Sequence, residues 1–145
     1  MIDIKKNSFL FNEEVYTSLN NIIKNKSFAN GYIFYGVEGA GKKETALKFI
    51  IEIFKQSSQS KNIEDKVATN NHPDFLIIEP NSLVSEKISQ SADHKEIKKT
   101  GTEIIKIAQI RNIKTFIGQK SINSGKKIVL IIDAHLLNEA ASNCL

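Results

Sequence analysis

The run Gly36-Val37-Glu38-Gly39-Ala40-Gly41-Lys42-Lys43 matches a phosphate-binding loop at every defining position but the last. In the pattern G-x-x-x-x-G-K-[ST], the glycines let backbone N–H groups close around phosphate oxygens. The lysine adds positive charge, and the final hydroxyl holds Mg²⁺. Lys43 stands where that hydroxyl belongs, and an ammonium cannot ligate a cation. The sequence therefore describes a loop that can hold phosphate through Gly36, Gly39, Gly41, Lys42 and Lys43 but is badly equipped to hydrolyse it. Its flanks constrain the fold. Tyr32-Ile33-Phe34-Tyr35 is a short apolar, aromatic run that reads as a buried strand over 31–35. Ala46, Leu47, Ile50, Ile53 and Phe54 recur at helical spacing and predict a helix from about Lys43 to Phe54. Strand, loop and helix in this order aim a helix N-terminus at an anion. The plain alternative is a glycine-rich turn with no ligand.

The rest of the chain continues the alternation. Asn12 can cap a first helix whose apolar stripe is Val15, Leu19, Ile22 and Ile23, closed by Asn25-Lys26-Ser27. Residues 56–71 are polar with little periodicity and read mainly as loop. Phe75-Leu76-Ile77-Ile78, fenced by Pro73 and Pro80, is a second buried strand. The Ser-, Lys- and Glu-rich stretch over 80–101 reads as a flexible insertion. Ile110, Ile113, Phe116 and Ile117 mark a helix ending near Gly118, and Ser124-Gly125 makes a turn. Ile128 to Ile132 is a third strand, and Asn138 caps a last helix. Buried strands alternating with helices predict an α/β domain in three layers around a parallel sheet. Ligands of such sheets bind at the carboxyl ends of strands, where both the loop and Asp133 fall.

Asp133 is the second candidate site residue. Nucleoside triphosphatases of this kind end an apolar strand in an acid that helps to hold Mg²⁺, and many add a Glu that polarises the attacking water. Here Ile131-Ile132-Asp133-Ala134-His135 offers one acid. Either Asp133 is the metal-side acid and Ala134 replaces the Glu, or Asp133 takes the Glu position and Ile132 replaces the acid. Each alignment loses one carboxylate, besides the hydroxyl lost at Lys43. Capping of the turn after the strand is the simpler role for Asp133. Thr45 is a poor rescue for the metal, because two residues along a helix is about 200° of rotation.

In their order, these pieces resemble the delta-prime family of bacterial DNA polymerase III clamp-loader subunits, within the AAA+ superfamily. The strand and altered loop of residues 31–43 are similar to that family's, as is Asn71-His72-Pro73-Asp74-Phe75 before the next strand. Ile110-Arg111 looks like the pair that opens its next helix. Ile131 to Ala134 with Leu137-Asn138 and residues 140–145 resemble its altered acid-bearing strand and following helix. The match covers most of residues 9–145. The paralogous tau/gamma motor subunits keep Thr or Ser after the loop lysine and an Asp-Glu pair, and this chain has neither.

The resemblance implies a partial AAA+ nucleotide-binding-type domain over 1–145, ending before the family's later strands, lid and collar domains. It implies a non-catalytic subunit of a polymerase holoenzyme component that supports sliding-clamp loading, with a vestigial site that holds ATP or ADP weakly if at all. Implied partners are the tau/gamma and delta subunits and, through the complex, the sliding clamp and primer–template DNA. The arginine that the family lends to a neighbour's ATP site lies in later sequence, so Arg111 does not play that part. Two other classes remain open: an active P-loop or AAA+ ATPase, and a P-loop relic that only binds proteins.

Composition adds limits. A chain of 145 residues can build one domain with a real core. Its net charge of +4 comes almost wholly from lysine, with no dense basic cluster that would itself mark a nucleic-acid site. Cys144 is the single cysteine, so no intrachain disulfide forms, and it reads as a small buried hydrophobe. No secretory signal opens the sequence and no apolar run has membrane-spanning length, so a cytoplasmic protein without membrane contact is expected. His72 precedes Pro73 and reads as an extended turn residue. His94 falls in the polar insertion, and His135 reads as packing at a helix start. The apolar strand 128–132 and the short last helix lead the sequence to expect a self-associating fragment that frays over 138–145.

Many delta-prime relatives carry a four-cysteine zinc module before the His-Pro-Asp step, whereas residues 54–71 here hold no cysteine. Ser57, Ser58 and Ser60 lie in that interval, and serine does not replace the thiolate, imidazole or carboxylate ligands of zinc. The expected outcome is no bound zinc. Metal analysis of protein purified without a His-tag checks it, and stoichiometric zinc would refute it.

Overall fold

The computed structural model describes residues 13–57, 62–82 and 103–144. The chain divides into two compact units, Met1–Phe75 with Ser121–Ile128, and Leu76–Lys120 with Val129–Leu145.

The first unit is organised by helices α1 (Glu13–Asn25) and α2 (Lys42–Ser57). Helix α1 carries Glu13 and Glu14 in its first turn and Lys24 in its last, the arrangement that suits its dipole. Its stripe delivers Ile23 to a core with Phe49 and Ile53 of α2, against which Leu19, Ile22, Phe28, Phe34 and Ile128 pack. Val15, at the other end of the stripe, is exposed. Gln56 Nε2 donates to Ile23 O at 2.9 Å and ties the end of α2 to the last turn of α1.

The strand expected over 31–35 is not a strand. Its alternation is real: Tyr32 meets Phe49 edge-on with ring centroids 5.2 Å apart, and Phe34 packs on the same core. Ile33 and Tyr35 point the other way and are each 90% exposed. Apolar residues on both faces suggested burial on both sides, but no described residue forms a ladder with this segment.

A second correction concerns the expected loop over 56–71. Helix α2 continues to Ser57, and a short helix α3 (Ile63–Ala68) follows. Its buried residues are Ile63 and Val67. A six-residue helix shows one i,i+4 apolar pair, too little to register as periodicity. Lys55 Nζ reaches Glu52 at 2.9 Å and Glu64 at 2.7 Å, placing a surface ion pair between α2 and α3.

The step into strand β1 (Phe75–Ile78) holds the most polar packing in this unit. His72 is buried, stacks on Phe54 with centroids 4.1 Å apart, and its Nδ1 accepts from Asp74 N at 3.2 Å. The turn-residue reading of His72 therefore misses a core role. Asp74 is fully buried. Its carboxylate accepts from the backbone N–H groups of Ile122 (2.8 Å), Asn123 (2.8 Å) and Ser124 (2.9 Å). Burial alone would raise the Asp74 pKa, but these backbone donors outweigh it and hold the carboxyl well below its usual range.

In the second unit, strand β2 (Asn81–Ser82) pairs antiparallel with β3 (Glu103–Ile104). The start of the stretch expected to be a flexible insertion, Asn81 and Ser82, is thus strand-paired, with residues just beyond its far end. Residues 83–102, including His94, lie outside the described residues. Helix α4 (Ile107–Gly118) starts three residues before Ile110. At its head Gln109 Oε1 accepts from Lys106 N (2.9 Å) while Nε2 donates to Glu79 O (2.8 Å). Ile110 and Ile113 join Ile78, Ile105 and Ala141 in the core of this unit, with Leu76, Val129, Ile131, Leu137 and Cys144 packed against them.

Strand β4 (Ile128–Ile131) pairs with β1. Ile128 N donates to Asp74 O and Ile132 N to Ile78 O, both at 2.9 Å, so the two strands run parallel. The described parallel sheet has these two strands, where three were expected, because residues 31–35 do not join it. After β4 come a 3₁₀ turn (Ala134–Leu136) and helix α5 (Glu139–Ser142). Asn138 caps α5 as expected, its Oδ1 accepting from Ala141 N at 2.8 Å. A helix this short is marginal by itself; the cap and the fully buried Ala141 seat it.

Asp74→Ala would leave three backbone donors without their acceptor and should cost about 3 kcal/mol, read as a lowered denaturant midpoint. Acidification should act through two groups. Burial holds the His72 pKa below its ordinary 6.5, so the unfolded chain takes the proton first and stability falls as pH drops below 6.5. Asp74, also depressed, contributes stability above its ordinary 3.8 that is lost at more acid pH. His72→Asn, whose amide oxygen can still accept from Asp74 N, should flatten the first decline and leave the second.

Candidate phosphate-binding site

Gly39 and Gly41 adopt the left-handed backbone, with φ of 75° and 72°, and Gly36 also has a positive φ of 152°. Side-chain-bearing residues avoid this left-handed region. Between them Ala40 N donates to Val37 O at 3.3 Å and closes a tight turn. Helix α2 begins at Lys42, whose ammonium folds back over the loop to Val37 O (2.8 Å) and Gly36 O (3.2 Å). Gly36, Gly39, Gly41, Lys42 and Lys43 therefore sit together where α2 begins, and Lys43 is exposed on its first turn.

Thr45, the nearest hydroxyl in sequence to Lys43, is turned inward. Its Oγ1 donates to Gly41 O at 2.7 Å, its N–H donates to the same oxygen at 2.9 Å, and the residue is 8% exposed. This is the orientation that helical rotation predicts for a residue two places after Lys43.

Asp133 belongs to the second unit. It follows the last β4 ladder bond, made by Ile132 N, and turns the chain with a left-handed backbone (φ 50°, ψ 51°) into the 3₁₀ turn. Leu136 N bonds to Asp133 O at 2.8 Å, but the carboxylate makes no capping bond. The simple capping role is thus carried by backbone, leaving the side chain exposed at the end of an apolar strand. A left-handed conformation is tolerated best by Asn, Asp and Gly, which gives Asp133 a structural reason to be there as well. His135 is exposed in the 3₁₀ turn rather than packed, and Arg111 is exposed on α4.

Asp74 is the residue whose weight the sequence reading missed. A carboxylate between Pro73 and an apolar strand was legible as a family mark. Its role as acceptor for the distant 122–124 backbone was not, because those donors lie roughly fifty residues away. Among the described residues no group of three or more His, Cys, Asp or Glu side chains could hold a metal ion, and no helix is long and apolar enough to cross a membrane.

The loop geometry predicts a contrast between two glycines. A Cβ at Gly39 meets open space, so Gly39→Ala should cost about 1 kcal/mol through its left-handed backbone alone. Gly118→Ala, with equal space and no positive φ, should be neutral or slightly stabilising. Thermal melts of the two variants check this.

A family profile described as DNA polymerase III, delta subunit, matches residues 11–145. DNA polymerase III subunit delta' of Bacillus subtilis is 29% identical over 90 residues, covering 59% of this chain and 27% of that protein. The protein of the same name from Pseudomonas aeruginosa is 27% identical over 123 residues, covering 81% of this chain and 32% of that protein. The aligned part is thus less than a third of either relative's length. No solved structure gives a significant match. The profile spans nearly the whole chain and both relatives are delta-prime proteins, so this chain belongs to the DNA polymerase III delta-subunit family and is delta-prime-like within it.

Proposed function

We propose that this chain acts as a non-catalytic clamp-loader subunit in DNA replication, built on an AAA+ P-loop core whose ATP site is degenerate. The observation that carries the reading is the first turn of α2. Lys43 occupies the metal-ligand position, and the nearby Thr45 hydroxyl is spent on Gly41 O at 2.7 Å. A loop in this state can meet phosphate through backbone N–H groups and Lys42 but offers Mg²⁺ no hydroxyl. With a single acid at Asp133, the sequence also offers only one of the two carboxylates that work on metal and water. ATP or ADP would bind weakly if at all, and zinc has no part. The subunit then contributes shape and contacts, while ATP turnover belongs to its neighbours. Its partners in this reading are the tau/gamma and delta subunits, with the sliding clamp and primer–template DNA reached through the assembly and no membrane involved. The matched delta-prime relatives support the assignment to replication.

Two measurements test it. Steady-state assays should find no Mg²⁺-dependent ATP turnover; a rate of about 1 s⁻¹ or more, typical of ordinary enzymes, that is abolished by Lys42→Ala would overturn the non-catalytic reading. Pull-down should recover the tau/gamma subunits. Recovery of none, with no effect on clamp loading when the protein is withdrawn, would move the chain out of replication.

A further inference from the structure

We propose that Asn30–Gly31 is a site of covalent modification by succinimide-forming deamidation, which converts Asn30 to aspartate or isoaspartate on the segment leading into the phosphate-binding loop. The reaction needs an asparagine followed by an unhindered residue. The backbone N–H of that residue must be free, and the local chain must bend enough to bring this nitrogen to the asparagine side chain. All three conditions meet here. Asn30 and Gly31 are exposed, Asn30 sits at a bend, and the segment has no regular structure. Nothing lies within 4 Å of a Cβ built on Gly31. Among the described residues no hydrogen bond engages the Asn30 side chain or the Gly31 N–H. The flanks are held: Ala29 N donates to Tyr32 Oη at 2.8 Å, and Tyr32 rests on Phe49. The dipeptide is thus a short free span between fixed neighbours, and glycine supplies the conformational freedom that ring closure requires.

The chemistry balances with water alone. The Gly31 nitrogen gives its proton to base in solvent and attacks Asn30 Cγ. A new N–Cγ bond closes a five-membered imide, the bond from Cγ to the side-chain nitrogen breaks, and ammonia leaves with a proton from solvent. Water then adds to one of the two imide carbonyls. Opening on one side gives aspartate; opening on the other gives isoaspartate, with an extra methylene in the main chain just before Gly31. No oxidation state changes, and the formal net charge of +4 falls by one.

Other asparagines supply the contrast. The amide after Asn25 donates to Ile23 O (3.2 Å), that after Asn70 to Lys66 O (2.7 Å), and that after Asn143 to Ala141 O (3.1 Å). The amide after Asn123 is held by Asp74 Oδ2 at 2.9 Å, although Ser124 is small. In each case the attacking nitrogen is already committed. The proposal concerns the polypeptide itself and does not rest on the clamp-loader reading.

The test is peptide mapping by mass spectrometry of the folded chain during incubation at mildly alkaline pH, with isoaspartate identified by methyltransferase labelling. Asn30 should convert first, ahead of Asn25, Asn70, Asn123 and Asn143. Gly31→Ala, which meets open space, should slow conversion at Asn30 by roughly tenfold or more. In urea, Asn123 should accelerate far more than Asn30, because unfolding frees Ser124 N. Asn30 remaining intact while another of these asparagines converts would overturn the proposal, as would an unchanged rate in Gly31→Ala.

Discussion

The carboxylate of Asp74 is the interaction on which the first unit depends. A fully buried charge is costly unless it is well satisfied, and three successive backbone N–H groups provide that satisfaction. Their geometry leaves little freedom: the segment 122–124 must wrap one side chain, and its Ser124 hydroxyl lies 3.0 Å from the same oxygen. From that fixed point the chain proceeds to Ile128, whose N–H bonds the carbonyl of Asp74 itself at 2.9 Å. One residue therefore sets both the loop before β4 and the first rung of the parallel pair. Phe54 against His72 extends the anchor to α2. A second link between the distant segments 28 and 126 is made by the Lys126 ammonium, 4.0 Å over the Phe28 ring.

The site follows a different logic from the anchor. The glycine-rich loop is exposed and depends on backbone conformation and one folded-back lysine rather than on burial. Lys42 remains aligned with the loop carbonyls, whereas the Thr45 hydroxyl is used to satisfy the start of its own helix. The Lys43 side chain is exposed on the first turn of the helix, while Thr45, two places on, faces the interior.

Local pattern was informative where an element was long or had a distinctive cap. Helices α1, α2 and α4 were legible from apolar spacing, α5 from Asn138, and β1 and β4 from their unbroken apolar runs. The tight loop from Gly36 to Gly41 ahead of α2 was legible because its glycines fall where the chain turns with positive φ. Helix α3 was not, since Ile63 and Val67 alone make no period. The β2–β3 ladder was hidden in a polar stretch because two-residue strands leave no pattern.

By itself the sequence determined the longer helices, the apolar strands β1 and β4 and the spacing of the glycine-rich loop, because these depend on residue type and short-range pattern. Tertiary structure decided the rest. It left residues 31–35 unpaired although they look like a strand, because a strand exists only through its neighbours. It made His72 a core residue and Asp74 an anchor, because burial and acceptance from residues roughly fifty positions away are properties of packing. It also left the Asp133 carboxylate exposed beside a left-handed backbone, an orientation that residue identity does not set.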